Sequence, residues 1–297
     1  GCDKADVDNT QVSVGDKQIA LNSVSAPVGA GTRAATDFPN NGRIGIVATK
    51  ELNDTVTLTD WSKYSDISNA GATAVSVSNG IYSFQWDTQK YWPFDGSDLY
   101  FMAYSPITTG SNNYLIDAKN SSLFINLQPN MPDIMYASNN TLYKAYNKNS
   151  GTVDLGEFRH ALSQLTIQVL AGEHMSPNIK LTSLSVSTNA TTGNLFLFAG
   201  DDGMVPVIDE DNQYTNVLVG GQTEFQNGMI TRSLLLFPQT EDYTEISIVL
   251  LDVSNGVSFT GSYMISFFQS DTADAITLEQ AKNTVLSMVI NMTDVQN

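Results

Sequence analysis

Ala74-Val75-Ser76-Val77-Ser78-Asn79-Gly80-Ile81-Tyr82-Ser83-Phe84-Gln85-Trp86 is the stretch that decides the fold. Apolar and polar residues alternate on both sides of Asn79-Gly80. A period of two puts successive side chains on opposite faces of a strand. Asn-Gly supplies the positive φ values that a tight hairpin turn needs. The stretch therefore predicts a β-hairpin.

Working outward, the same signals recur along the chain. Arg43 to Ala48 reads as a buried strand opened by Asn40-Asn41-Gly42, and Leu123 to Leu127 as another, stopped by Pro129. Asp133 to Ala137 follows Pro132, and Phe158 to Leu170 reads as one long strand. Leu181 to Val186 and Asn194 to Phe198 are predicted strands around a turn at Thr192-Gly193. Ser233 to Phe237 ends at Pro238, and Ile246 to Leu251 pairs with Val257 to Phe268 across Asn255-Gly256. The one helix predicted is Leu278 to Lys282, with Thr277 as its N-cap. Short apolar runs bounded by turn residues make an all-β protein. At 297 residues the chain is long enough for two domains. The polar patch Asn139 to Gly151 places their junction near its end, giving residues 1–155 and 156–297.

Phe84, Trp86, Tyr91, Trp92, Phe94, Tyr100, Phe101 and Tyr104 crowd into one short stretch. Such rings are either the hydrophobic centre of the first domain or a platform on which sugars stack. Core is the expectation, because aromatic side chains carry so much buriable area; that reading allows for one exposed ring. The formal charge is −17 with only 14 basic residues. Nucleic acid and anionic lipid headgroups both need a basic face, so neither is an expected partner.

A single cysteine, Cys2, excludes any internal disulfide. It is either an incidental terminal thiol or the acylated first residue of a bacterial lipoprotein. The polar run Asp3 to Asp8 fits a tether between lipid and fold. No stretch approaches the length of a membrane-spanning helix. Gly29-Ala30-Gly31-Thr32-Arg33-Ala34-Ala35-Thr36 cannot pack a core, so Arg33 should stand where a protease reaches it. Arg43, Arg159 and Arg232 instead lie in or beside apolar runs. Read alone, such a loop is a linker.

No catalytic constellation is visible, and no cofactor is expected. His160 sits in an alternating strand, as a hydrogen-bonded core group would, and His174 lies in a turn. Metal-binding spacings, phosphate loops and nucleophile elbows are missing from the sequence. The acidic stretch Asp201 to Asp211 matches no calcium loop and reads as a solvated turn. The last strand places Leu286, Met288, Ile290 and Met292 on one face, and Val285, Ser287, Val289 and Asn291 on the other. Its apolar row could complete a sheet in its own chain or in another.

In order along the chain, several motifs resemble the fimbrillins, the type V pilins of Bacteroidales. They are Cys2, Thr32-Arg33-Ala34, Leu99 to Pro106, Asp133 to Ala137, Phe158 to Leu165 and the closing apolar strand. The resemblance implies two tandem transthyretin-like Greek-key β-sandwich domains and an outer-membrane lipoprotein precursor acylated at Cys2. It also implies cleavage of Arg33–Ala34 by an Arg-specific surface protease and loss of a first strand that contains Ile19 and Leu21. The groove left behind would take a donor strand from another fimbrial subunit, with Leu286, Met288, Ile290 and Met292 as the donor side chains. The product would be a pilus serving adhesion and biofilm formation, with a host or bacterial surface ligand as a further partner. Tip or anchor components, and a monomeric surface lipoprotein that binds glycan or peptide, are the alternatives.

Overall fold

The computed structural model describes residues 17–25, 42–52, 64–108, 114–117, 122–137, 144–197, 203–239, 244–264 and 277–291. Its strands are, in chain order, β1 (Leu21–Ser25), β2 (Arg43–Thr49), β3 (Ser68–Ser78), β4 (Ile81–Trp86), β5 (Tyr100–Ser105), β6 (Tyr114–Asp117), β7 (Ser122–Asn126), β8 (Met135–Ala137) and β9 (Val153–His160). They continue with β10 (Ser163–Ala171), β11 (Ile179–Thr188), β12 (Ala190–Phe196), β13 (Met204–Ile208), β14 (Tyr214–Thr223), β15 (Met229–Leu236), β16 (Thr244–Asp252), β17 (Val257–Met264) and β18 (Asn283–Ile290). A short 3-10 turn, Ser65–Ile67, leads into β3.

The hairpin expected at Asn79-Gly80 forms. Both turn residues have positive φ, 51° and 75°, and Ser78 pairs with Ile81. The second hairpin also forms, with Asp252 opposite Val257 around Asn255-Gly256. In the first half of the chain the ladder closes on itself as β1-β4-β3-β2-β5-β8-β9. The two sides of the expected sandwich are there joined into one seven-stranded barrel. Closure is made by β1, antiparallel to β4 and parallel to β9.

The unbroken apolar runs have a clear cause. Ile44, Ile46 and Ala48 of β2 face the barrel interior, with Phe101 and Ala103 of β5 and Met135 and Ala137 of β8. The intervening Val47, Met102, Tyr104 and Tyr136 face a second core shared with Leu165, Leu195 and Phe237. A strand buried on both faces has no polar side to show, so its sequence does not alternate.

The second core lies among three smaller sheets, β15-β10-β18, β14-β11-β16-β17 and β13-β12-β7-β6. The third of these takes two strands from the first half of the chain, since Leu123 of β7 pairs with Leu195 of β12. The run Phe158 to Leu170 is two strands. It leaves the barrel at Ala161-Leu162, both fully buried, and enters the next sheet. Residue 156, where the second domain was expected to begin, lies inside β9.

Three local expectations are corrected. Leu278 to Lys282 is a turn with Ala281 at φ 60°, which ends any helix there. Thr192-Gly193 is not a turn but the interior of β12, and the chain bends instead at Asn189, where it passes from one sheet to another. Gly193 is required because a Cβ there would sit 2.6 Å from the Phe237 ring. Within the acidic stretch, Met204–Ile208 is strand β13. Its turn follows at Asp209, which accepts hydrogen bonds from the amide of Asp211 and the side chain of Asn212. Those bonds hold the Asp209 carboxyl below the usual carboxylate range.

Candidate functional site

The site is built around β1 and the chain just before it. Ile19 and Leu21 are each 2 % exposed, inside the barrel core, and Ser23 is fully buried on the same side. This alternation seats the segment in a slot between β4 and β9. Backbone hydrogen bonds line both walls. The Ile19 amide donates to the Lys90 carbonyl at 2.9 Å, and the Trp92 amide to the Lys17 carbonyl at 3.2 Å. The Val153 amide donates to the Ala20 carbonyl at 2.8 Å, and the Trp86 indole to the Ile19 carbonyl at 2.8 Å. Burial of Ile19 and Leu21 is worth about 1.5–3 kcal/mol each. Without this segment the slot would expose an apolar floor and two unpaired strand edges.

The chain leaves β1 into residues 26–41, so Arg33 and Ala34 lie outside the described residues, as do Cys2 and Met292. The other three arginines are all described. Arg43, Arg159 and Arg232 stand in strand ladders opposite Thr73, Tyr136 and Ile167. A protease needs an extended, unpaired segment, and those three backbones are already paired.

At the other end of the chain, β18 lies at a sheet edge and pairs in parallel with β10 over eight positions, from Gln164↔Asn283 to Ala171↔Ile290. Leu286, Met288 and Ile290 are half-buried against the second core, whereas Val285 and Val289 are 52 % and 55 % exposed. The two-faced pattern read from the sequence is the observed one over the described part. The turn before β18 is fastened down. Leu278 is buried, Gln280 Nε2 donates to Tyr136 Oη at 2.9 Å, and Ser163 Oγ donates to the Glu279 carbonyl at 2.6 Å. Sequence reasoning missed this fastening because its partners are more than a hundred residues away.

His160 is 2 % exposed, with Nδ1 2.8 Å from a carboxylate oxygen of Asp133. It is a core group held against the segment that leads into β8. Among the described residues no three His, Cys, Asp or Glu side chains come together to hold a metal ion, and no helix is long and apolar enough to cross a membrane. Of the crowded aromatics, Phe84, Trp86, Trp92, Phe101 and Tyr104 are buried. Two rings, not one, stand out: Tyr91 at 43 % and Phe94 at 75 % exposure.

Residues 32–296 match the family model described as fimbrillin-like. The chain belongs to that family. No curated protein sequence matches this fimbrillin-like chain. Among solved structures, it is similar to a candidate cell adhesion protein from Bacteroides uniformis, with TM-score 0.56, 16 % identity and 93 % of each chain covered. It is also similar to a fimbrial protein from Bacteroides vulgatus, with TM-score 0.55, 15 % identity, and 93 % of this chain and 96 % of that one covered. At these identities the likeness speaks for the fold. Membership of the fimbrillin-like family supports the role of a fimbrial subunit at the cell surface, a structural rather than an enzymatic part.

Near the exposed rings, the Tyr64 phenol is pushed up to about 12 by burial, and then by the negative charges of Asp66 and Asp95. The unfolded chain ionises this group near pH 10, as an ordinary tyrosine. Between about pH 10 and 12 the unfolded state therefore holds fewer protons than the folded one, and stability falls as pH rises through that window. Subtracting the phenolate absorbance titration of Tyr64→Phe from that of the unaltered protein should leave a step near pH 12. A step near pH 10 would contradict this environment for Tyr64.

Proposed function

We propose that this fimbrillin-like protein is a pilus subunit that assembles by strand exchange, with its own first strand as the removable plug. The observation that carries this is the place of β1: a short segment, buried through Ile19 and Leu21, closes the barrel between β4 and β9. In this reading a surface protease cuts Arg33–Ala34 and the segment up to Arg33 leaves. Strand addition to the exposed edges then restores both ladders. The donor is the C-terminal strand of the next subunit, through Leu286, Met288, Ile290 and Met292. Their spacing reproduces the inward alternation of Ile19, Leu21 and Ser23, and a one-residue slip would turn the row outward.

The precursor travels to the outer membrane as a lipoprotein acylated at Cys2 and is held to the membrane by that lipid alone. The pilus serves adhesion and biofilm formation. The chain divides into two tandem transthyretin-like units, with the change from one to the other within the β9–β10 run. A second reading, a tip or anchor component, is favoured by one observation. The turn at 277–282 fastens β18 into its own sheet through Leu278, Gln280 and Ser163.

The deciding experiment is limited digestion of the purified protein with an Arg-specific protease, followed by mass spectrometry and size-exclusion chromatography. The subunit reading expects one early cut after Arg33 and then SDS-resistant multimers. A cut at Arg33 that leaves a stable monomer would overturn assembly by exchange and favour the tip or anchor reading.

A further inference from the structure

Beside the barrel lies a second feature that strand exchange does not use: a cavity of about 350 Å³. Its lining includes Tyr64 and Asp66 on one side and Gln89, Lys90, Tyr91 and Phe94 on the other. Several contacts hold the loop that carries the rings. Trp92 is buried between Tyr91 and Phe94 and packs edge-on against Phe101, with ring centres 6.0 Å apart. Tyr91 forms a bridge with Gln18, and the Gly96 amide donates to the Pro93 carbonyl at 3.1 Å. Lys50 ties the two sides together. Its Nζ lies 2.9 Å from an Asp95 carboxylate oxygen and 5.6 Å from the centre of the Tyr64 ring.

Two large aromatic side chains are therefore partly in solvent at a cavity whose lining mixes polar and apolar groups. Exposed apolar surface gathered at a cavity is a common mark of a ligand-binding groove. Cavities of this size that combine aromatic surface with a few placed polar groups suit small ligands. The ligand must offer an apolar face to the rings and hydrogen-bond donors to a carboxylate. A pyranose has both: its axial C–H bonds form one apolar face, and its hydroxyls ring the edge. A carboxylate accepts only, so Asp66 takes a pair of hydroxyl donors, while Gln89 can both give and accept. The lining carries one carboxylate, Asp66, and one ammonium, Lys90, so its charge balances and suits a neutral sugar, while the chain's net charge of −17 disfavours an acidic one.

We propose that this cavity binds a neutral saccharide, with a sugar ring stacked on Phe94 and Tyr91 and its hydroxyls held by Asp66 and Gln89. The site belongs to the uncut chain, since the segment that strand exchange removes includes Gln18, which bridges to Tyr91. It is tested on the intact chain, because Lys17 and Gln18, which hold the ring-bearing loop, precede the Arg33 bond.

Saturation-transfer NMR uses four probes at millimolar concentration: methyl β-galactoside, methyl β-glucoside, methyl α-mannoside and N-acetylglucosamine. Transfer is expected to the C–H protons of one ring face of at least one probe. Phe94→Ala should weaken that binding about tenfold, as expected for loss of a stacked ring. Asp66→Asn should weaken it at least as much, through lost charge-assisted hydrogen bonds. Phe94 is 75 % exposed, so its loss leaves the core intact. Absence of transfer from all four probes, or transfer indifferent to Phe94→Ala, overturns the proposal.

Discussion

Met288→Asp is expected to lower the yield of multimers formed after cleavage at Arg33 by about tenfold or more, while Val289→Asp leaves that yield unchanged. The two positions are neighbours on β18 and lie on opposite faces. Met288 is half-buried on the row with Leu286 and Ile290, and Val289 is 55 % exposed on the other side. In a donor strand the inward row fills the slot that Ile19 and Leu21 occupy in the intact chain. Four large apolar side chains contribute on the order of 10 kcal/mol before ordering costs, at about 1.5–3 kcal/mol each. A carboxylate in the same slot loses one such contribution and adds a desolvation penalty of several kcal/mol. Melting curves of both variants before cleavage check that the subunit itself still folds. A mixing test adds direction: processed Met288→Asp can still accept a donor, so it should end growing chains of unaltered subunits. Equal multimer yields from the two variants would remove β18 as the donor.

Gly45→Ala is expected to destabilise the protein by about 2–6 kcal/mol. Gly45 of β2 sits opposite Tyr104 of β5, and the tyrosine ring lies across it. A Cβ at position 45 would be 2.4 Å from Cε1 and 2.7 Å from Oη of Tyr104. The ring cannot simply move, because it is fully buried and tied at its end. Its hydroxyl lies 2.5 Å from Asn69 Oδ1, to which it donates, and accepts from the Thr108 amide at 3.1 Å. Overpacking costs about 1–3 kcal/mol. Breaking the two buried hydrogen bonds adds about 1–3 kcal/mol more. For a unit of this size the melting temperature should fall by roughly 10 °C. The cause is checked by a double-mutant cycle with Tyr104→Leu, in whose background Gly45→Ala should cost far less. A loss below about 1 kcal/mol in urea unfolding would refute the contact as the reason for glycine here.

Much of the fold was legible in local sequence. The hairpins at Asn79-Gly80 and Asn255-Gly256 were readable because a turn type is chosen by the two residues that make it. The two faces of β18 were readable because alternation is a property of the strand itself. The helix predicted at Leu278 to Lys282 failed because tertiary contacts fix that segment. Leu278 is buried, Gln280 reaches Tyr136, and Ala281 takes a left-handed backbone. The turn predicted at Thr192-Gly193 failed because that glycine clears space for the ring of Phe237, far along the chain.

The candidate site divides in the same way. Ile19 and Leu21 could be picked out as a strand from their spacing. Nothing in that spacing says that the strand lies between β4 and β9, or that it runs parallel to β9. Parallel neighbours come from distant sequence and leave no turn between them to read. Similarly, Phe94 and Trp92 are two aromatics of one run, one 75 % exposed and the other 5 %. By itself the sequence determined an all-β chain with these hairpins, an amphipathic last strand and a family resemblance. Closure of the barrel by β1, the pairing of β7 with β12 and the exposure of Tyr91 and Phe94 were decided only by tertiary structure. Turn chemistry and alternation act between neighbours in sequence, whereas strand partners and burial depend on which distant surfaces meet.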